Sequence, residues 1–340
     1  MSMPKPSRRA LLAGAALAAT PLRSSPSRAA TGMAQALAYT DERRGVSLLV
    51  LHQGRRLVEH YANGGNATAA WELASGTKSF CGLIAAAAVA DGLLTLDQPV
   101  AESLTEWRSD QALRAITPQH LLTLTAGFHS PIGRAPSYAD AIKARPVDPP
   151  GQRFRYGPLC FQIFGEVMRR RLAGSRDSDP LAYLQRRILM PAGVEVAGWR
   201  RGADGMPLLP QGARLTARAW GQFGTAMMAM LAGAPGSLDP AAVRALTQPT
   251  SANPGYGLSW WLFRRGLVPP GPGVGFGRTF PPAVEQEDCV VAAGAGNQRL
   301  YLLRKRGLVV VRQAEGLGLV VDQTPRWDDA TFLSLLLNAL

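Results

Sequence analysis

Only 18% of the 340 residues are charged, and acids are the scarcer sign, with 24 Asp and Glu against 37 Lys and Arg. Such a composition, 46% hydrophobic, excludes a disordered chain and can bury a sizeable core. Histidine is scarce too: His52, His60, His120 and His129 are the four present. None stands in an H-E-x-x-H or similar spacing, so a metal hydrolase has no support. No G-x-S-x-G elbow occurs either, since Gly257-Leu258-Ser259-Trp260-Trp261 misses it at the last position, which removes the usual Ser-His-Asp hydrolase. The run Gly271-Pro272-Gly273-Val274-Gly275-Phe276-Gly277 lacks the last glycine of a dinucleotide fingerprint and reads as a surface loop. No cofactor and no metal are implied.

Cysteine is limited to Cys81, Cys160 and Cys289, each among apolar neighbours and at no metal-like spacing. They read as buried free thiols, although export would permit one pair to oxidise. Long apolar runs are missing as well. The segment Ala10 to Ala19 is too short to cross a hydrocarbon core of about 30 Å at about 1.5 Å per residue. It follows Ser7-Arg8-Arg9 and precedes Ser27-Arg28-Ala29-Ala30, the layout of a cleaved twin-arginine export signal. Residues 1 to about 30 are therefore set apart from the fold. The expected partner of that segment is the export machinery, and the expected location is periplasmic or secreted. The net charge of +13 falls partly on this leader, and elsewhere arginine is scattered. A solvated basic surface, not a nucleic-acid partner, is the expectation.

What is present is strands at both ends and helices between. Residues 46–51 and 56–61, around His52-Gln53-Gly54-Arg55, read as a hairpin. Residues 289–293, 300–303 and 308–311 read as three more antiparallel strands, followed by a helix from about Asp328 to Leu340. Helical patterns run from Ser75 to Ala90, Pro118 to Leu124, Leu159 to Leu172, Pro180 to Leu189, Thr216 to Leu231 and Pro240 to Leu246. The expected fold is α/β of the α+β type: one antiparallel sheet built from both chain ends, flanked by helices, with an inserted helical lobe and a cleft between. A single domain over 31–340 is expected, its α/β lobe at about 31–100 and 250–340 and its helical lobe at about 101–249.

The sharpest local signal is Ser75-Gly76-Thr77-Lys78 at the start of the apolar run Cys81 to Ala90. Residues three apart share a helical face, so the Lys78 amine can reach the Ser75 hydroxyl, and the helix N-terminus favours the charge that develops there. To act as a base, Lys78 must lose a proton near neutral pH against an ordinary pKa of about 10.4, which desolvation in a cleft can bring about. On four residues alone, a helix cap and a solvated lysine are the better explanation of the pattern. Two further segments add weight. Tyr156 follows the Pro149-Pro150-Gly151 turn directly before a helix, and Gly294-Ala295-Gly296-Asn297 ends a strand where an amide can face an oxyanion.

In this order, Ser75-x-x-Lys78, Tyr156 and the glycine-containing strand motif resemble the serine β-lactamase and penicillin-binding protein superfamily. Residues 91–100, 121–128, 212–218 and 256–261 look like landmarks of its class C β-lactamase-related branch, which includes esterases and nylon-oligomer hydrolases. The resemblance covers roughly residues 35 to 340. It implies that Ser75 is acylated, Lys78 takes its proton and Tyr156 relays a proton to the leaving group. It also implies that the backbone amides of Ser75 and Ala295 hold the oxyanion, with Gly294, Gly296, Asn297 and Trp260 toward the substrate. Trp261, Phe154 and Phe128 are further candidates to line the cleft.

Two positions depart from the pattern. Pro158 stands where class C enzymes carry asparagine, and Ala292 stands where the strand motif carries a cation. Without that cation a substrate carboxylate loses its partner, so the expected substrate is a neutral ester or amide. The same departures leave open a non-catalytic exported domain that binds cell-wall peptide or a protein partner. A β-lactamase or D-amino-acid peptidase is a second alternative.

Overall fold

A run such as Val46-Ser47-Leu48-Leu49-Val50-Leu51 belongs inside a sheet covered on both faces, and it forms a buried interior strand. The computed structural model describes residues 1–2, 28–177, 179–234, 236, 238–271, 276, 279–315 and 326–340. Residues 3–27 of the leader, and Pro272–Gly275 and Gly277 of the glycine-rich stretch, lie outside the described residues.

The first part of the chain holds α1 (Arg28–Asp41), β1 (Gly45–His52), β2 (Arg55–Tyr61), β3 (Ala70–Glu72) and α2 (Ser79–Ala90). The middle holds α3 (Pro118–Leu122), α4 (Tyr138–Ala141), α5 (Leu159–Arg171), α6 (Pro180–Leu184), β4 (Gly198–Trp199), β5 (Ala213–Thr216), α7 (Ala217–Leu231) and α8 (Pro240–Ala245). The last part holds β6 (Trp261–Phe263), α9 (Pro282–Glu285), β7 (Cys289–Gly294), β8 (Gln298–Leu303), β9 (Leu308–Ala314) and α10 (Asp329–Ala339). The main sheet is antiparallel in the order β2-β1-β9-β8-β7-β6, so the N-terminal hairpin joins the C-terminal strands through the β1–β9 pair. This is the mixed α/β architecture expected from the sequence, an antiparallel sheet flanked by helices.

Side chains alternate across β8 and tell the two faces apart. Leu300 and Leu302 meet α7, where side chains at Gly221 and Gly224 would collide with Leu49 at 2.7 Å and Val309 at 2.6 Å. Glycines three apart thus let α7 settle onto β1, β8 and β9. Tyr301 points the other way, toward α10, where it packs on Phe332. On that face α10 crosses α1 so closely that a Cβ on Gly32 would lie 3.2 Å from Ala339. The stretch Thr216 to Leu231, assigned from sequence to the helical lobe, therefore belongs against the sheet. Thr216 caps it, accepting from the Ala219 amide at 3.1 Å.

Several elements escaped the sequence reading. Helix α1 begins at Arg28, inside the stretch assigned to the leader, and no helix was expected there. Strands β3, β4, β5 and β6 hold two to four residues each, too few to show a period. The segment Pro180 to Leu189 is a short α-helix that widens into a π-turn over Gln185–Leu189. Among the described residues no helix is long and apolar enough to cross a membrane.

Candidate active site

Ser75 and Lys78 sit on a 3-10 turn, Ala74–Lys78, that runs into α2. In that geometry residues i and i+3 eclipse one another, which stacks the two side chains more directly than an α-helix would. The Lys78 amine donates to the Ser75 hydroxyl at 2.8 Å and to the Pro210 carbonyl at 3.0 Å. The turn is braced. Thr77 Oγ1 donates to the Ala74 carbonyl at 2.7 Å and accepts from the Ala213 amide at 3.2 Å. Ala74 takes a left-handed φ of 47°, a costly conformation for a residue with a side chain, immediately before the hydroxyl that would react.

Lys78 is buried, whereas Ser75 keeps partial exposure. Both hydrogen-bond partners of the amine are neutral, so nothing in that pair offsets the desolvation of an ammonium. Burial lowers its pKa to about 7, with only a small opposing effect from the Cys81 thiol. The Lys78 nitrogen also stands 5.0 Å from the centre of the Tyr156 ring and 5.6 Å from that of Phe161. The shift has a consequence for stability. Between pH 7 and pH 10.5 the unfolded lysine holds a proton that the folded one has lost, so this group makes the protein more stable as pH rises through that window. Equilibrium denaturation of the wild type should show the slope, and Lys78→Met should flatten it.

Tyr156 reaches the same point from another part of the chain. The Arg155 amide binds the Leu124 carbonyl at 2.9 Å, and the Arg155 guanidinium pairs with Asp148. Gly157 fits so tightly that a Cβ would lie 2.2 Å from Ser130 Oγ, which in turn accepts from the Leu159 amide at 3.0 Å. The phenol faces Ser75. Burial pushes its pKa up to about 12, while the Ser75 hydroxyl and the Arg299 charge pull the other way. Pro158 occupies the N-cap of α5 without a side-chain cap, and the second contact to the Lys78 amine comes from the Pro210 carbonyl. Nothing in the sequence signalled Pro210.

Strand β7 brings the third piece. Its end is pressed onto the serine turn, because a Cβ on Gly294 would lie 2.0 Å from the Leu73 carbonyl. Gly294 is buried, so its missing side chain serves this packing and does not open a path for substrate, which corrects the sequence reading. Ala295 is exposed, and Gly296 (φ 71°) and Asn297 (φ 62°) turn the chain back into β8. Trp260 requires a second correction. It is fully buried and stacks on Phe223 with ring centres 6.2 Å apart, out of reach of a substrate. Its neighbour Trp261 points the opposite way and lies 5.4 Å from the Tyr156 ring, with Phe154 beside both. Phe128 is also enclosed, against Trp107.

The remaining sequence candidates have other tasks. His120 takes part in the α3 cap with Thr117, and His60 binds Asp41 at 2.9 Å. Cys81, Cys160 and Cys289 are buried and free. Among the described residues no group of His, Cys, Asp or Glu could hold a metal ion.

An antiparallel sheet in which the end of one strand closes on a helix-borne Ser-x-x-Lys, with a tyrosine opposite, is the arrangement of the serine β-lactamase and penicillin-binding protein class. The chain belongs to the Beta-lactamase family, whose model matches residues 30–331. No curated protein sequence matches it. Among solved structures, a protein assigned as a β-lactamase from Bacteroides dorei superposes with a TM-score of 0.68 at 18% identity, covering 90% of this chain and 97% of that one. A protein assigned as a 6-aminohexanoate-dimer hydrolase from Bacillus anthracis gives 0.67 at 17% identity, covering 89% and 79%. EstCE1, described as a hydrolase with promiscuous acyltransferase activity, gives 0.65 at 15% identity, covering 92% and 97%. At these identities the likeness is one of fold.

Proposed function

We propose that the protein hydrolyses a neutral ester or amide through an acyl-enzyme on Ser75. The observation that carries this reading is the 2.8 Å contact between the Ser75 hydroxyl and a buried lysine with neutral partners. At neutral pH a large fraction of that amine is uncharged and can accept the hydroxyl proton as Ser75 attacks the carbonyl carbon. Negative charge grows on the carbonyl oxygen, where the amides of Ser75 and Ala295 are the donors assigned to it. The bond to the leaving group then breaks as that group takes a proton from the Tyr156 hydroxyl, which recovers one from the Lys78 ammonium. With a pKa raised to about 12, Tyr156 stays protonated and acts as an acid. Water attacks the acyl ester as Lys78 takes its proton, and Lys78 returns that proton to the departing Ser75 oxygen, which restores both groups and releases the acid.

The preference for a neutral substrate rests on Ala292, a small buried residue where a cation would attract a carboxylate, and on the half-buried Phe154 ring beside Tyr156. The descriptions of two structural neighbours, one as a 6-aminohexanoate-dimer hydrolase and one as a hydrolase with promiscuous acyltransferase activity, are compatible with it. A chromogenic short-chain ester should give a burst, and a fluorophosphonate should add its mass to Ser75 in the wild type but not in Ser75→Ala. Under the same conditions a cephalosporin should turn over at least about tenfold more slowly. No adduct on the wild type would leave the binding-domain alternative standing, and a faster cephalosporin would reinstate the β-lactamase. We also propose export through the Arg8-Arg9 leader, which a secretion assay with Arg8→Lys and Arg9→Lys tests by retention of the precursor.

A further inference from the structure

Arg299 is the second residue of β8 and its side chain is 1% exposed, yet it carries a full charge into the core behind the serine turn. Its Nη1 donates to the Gly294 carbonyl at 3.0 Å and to the Gln298 carbonyl at 3.1 Å. Its Nε and Nη2 bind the two oxygens of Asp329, at the start of α10, at 2.9 and 3.1 Å, and Tyr301 donates to the same carboxylate. Burying such a pair is expensive, and apolar residues of similar volume usually serve a core at least as well. The position of the charge suggests what offsets that cost.

The Gly294 carbonyl and the Ala295 N–H belong to one peptide unit. That unit is planar and trans, so its C=O and N–H point in opposite directions, and pinning the oxygen fixes where the hydrogen aims. A guanidinium on the oxygen also draws electron density through the amide, which makes the N–H a stronger donor. From the other side the Leu73 carbonyl closes on Gly294, leaving the strand end no room to swing. A second buried arginine secures the rest of the turn: Arg312 donates to the Asn297 carbonyl at 2.9 Å and to Thr40 Oγ1 at 3.0 Å, at the end of α1. The two terminal helices are thereby tied to the turn that carries Ala295.

We propose that Arg299, held by Asp329, is a positioning residue that aims and polarises the Ala295 N–H for the oxyanion formed on acylation of Ser75. The proposal rests on the reading of Ala295 as an oxyanion donor. It assigns a catalytic consequence to an ion pair that would otherwise count only toward core stability.

The test is the pseudo-first-order rate constant for fluorophosphonate labelling of Ser75 in the full chain. That constant reports molecules with a formed site, whatever fraction of the preparation is folded. Loss of a whole oxyanion donor costs about 10²–10³ in rate, so a misaimed one in Arg299→Lys should cost about 10–100-fold. The milder Asp329→Asn, which leaves the guanidinium in place without its carboxylate, should fall between Arg299→Lys and the wild type. KM for a neutral ester should move by less than about threefold, because the ground-state carbonyl draws less on the donor. Wild-type rate constants in whichever of the two variants folds, with only the thermal midpoint lowered, would reduce the pair to a core brace. An unlabelled wild type would instead overturn the assignment of Ser75 itself.

Discussion

Replacing Lys78 by methionine should cut the acylation rate by about 10²–10⁴-fold, the range a positioned general base supplies, without lowering the thermal midpoint at pH 6. Methionine is unbranched and close to lysine in volume, so the space the buried Lys78 side chain occupies stays filled. Two opposing effects act on stability. The Pro210 carbonyl loses its donor, which costs about 1–3 kcal/mol if no other group reaches it. Against this, the folded protein no longer has to hold an amine whose burial lowers its pKa to about 7. That relief is largest below pH 7, where the wild-type amine is charged in both states, and it shrinks as pH rises toward 10.5. Differential scanning calorimetry at pH 6 and pH 9, beside single-turnover acylation, measures both halves of the expectation. A midpoint that falls by the same amount at both pH values would mean that Lys78 is held as a structural cation.

Gly294→Ala should be the most damaging single-carbon change in the molecule's sheet. The added carbon would lie 2.0 Å from the Leu73 carbonyl and 3.1 Å from the Gly76 nitrogen, both of them backbone atoms. No side-chain rotation relieves such a contact, so either β7 withdraws from the serine turn or the turn unwinds. The expected cost is about 3 kcal/mol or more, at the upper end for overpacked sites, together with loss of acylation. Urea denaturation and fluorophosphonate labelling of the same preparation separate the two effects. By contrast, Gly296→Ala, at a φ of 71° on the half-exposed side of the turn, should cost about 1 kcal/mol of backbone strain.

How much of this was legible beforehand follows from the distance over which each feature is encoded. Ser75 and Lys78 are three residues apart, and their contact follows from one turn of helix whatever surrounds it. The β1–β2 hairpin and the β7–β8–β9 meander are likewise local, and each carries its own apolar run and turn residues. The side of the sheet that takes α7 is not local. Gly221 and Gly224 acquire a role only when Leu49, Val309 and Leu300 stand opposite them. Parity decided the aromatics: Trp260 and Trp261 are adjacent, and the sequence offered no means of knowing which of the two faces Tyr156 and which faces Phe223.

Glycine had a similar ambiguity. Gly294 was read as clearance for a substrate, and its neighbour proves to be the Leu73 carbonyl of the same chain. Arg299 was hidden for a different reason. A lone arginine between two apolar strands looks like an edge residue, and its burial becomes intelligible only when Asp329, thirty positions away, is placed beside it. Where the family pattern broke, at Pro158 and Ala292, the sequence showed the loss but not the remedy. The Pro210 carbonyl that accepts from Lys78 comes from a loop with no motif of its own.

The central claim is that a large fraction of Lys78 is uncharged in the folded protein at neutral pH, and its side-chain nitrogen can be titrated directly. The chain has only four lysines, Lys5, Lys78, Lys143 and Lys305, so nitrogen-15 labelling of lysine yields a spectrum simple enough to assign with Lys78→Met. The resonance missing from that variant should titrate near pH 7, well apart from the others. A Lys78 signal that stays protonated to pH 10 would leave Ser75 without its base and contradict the account.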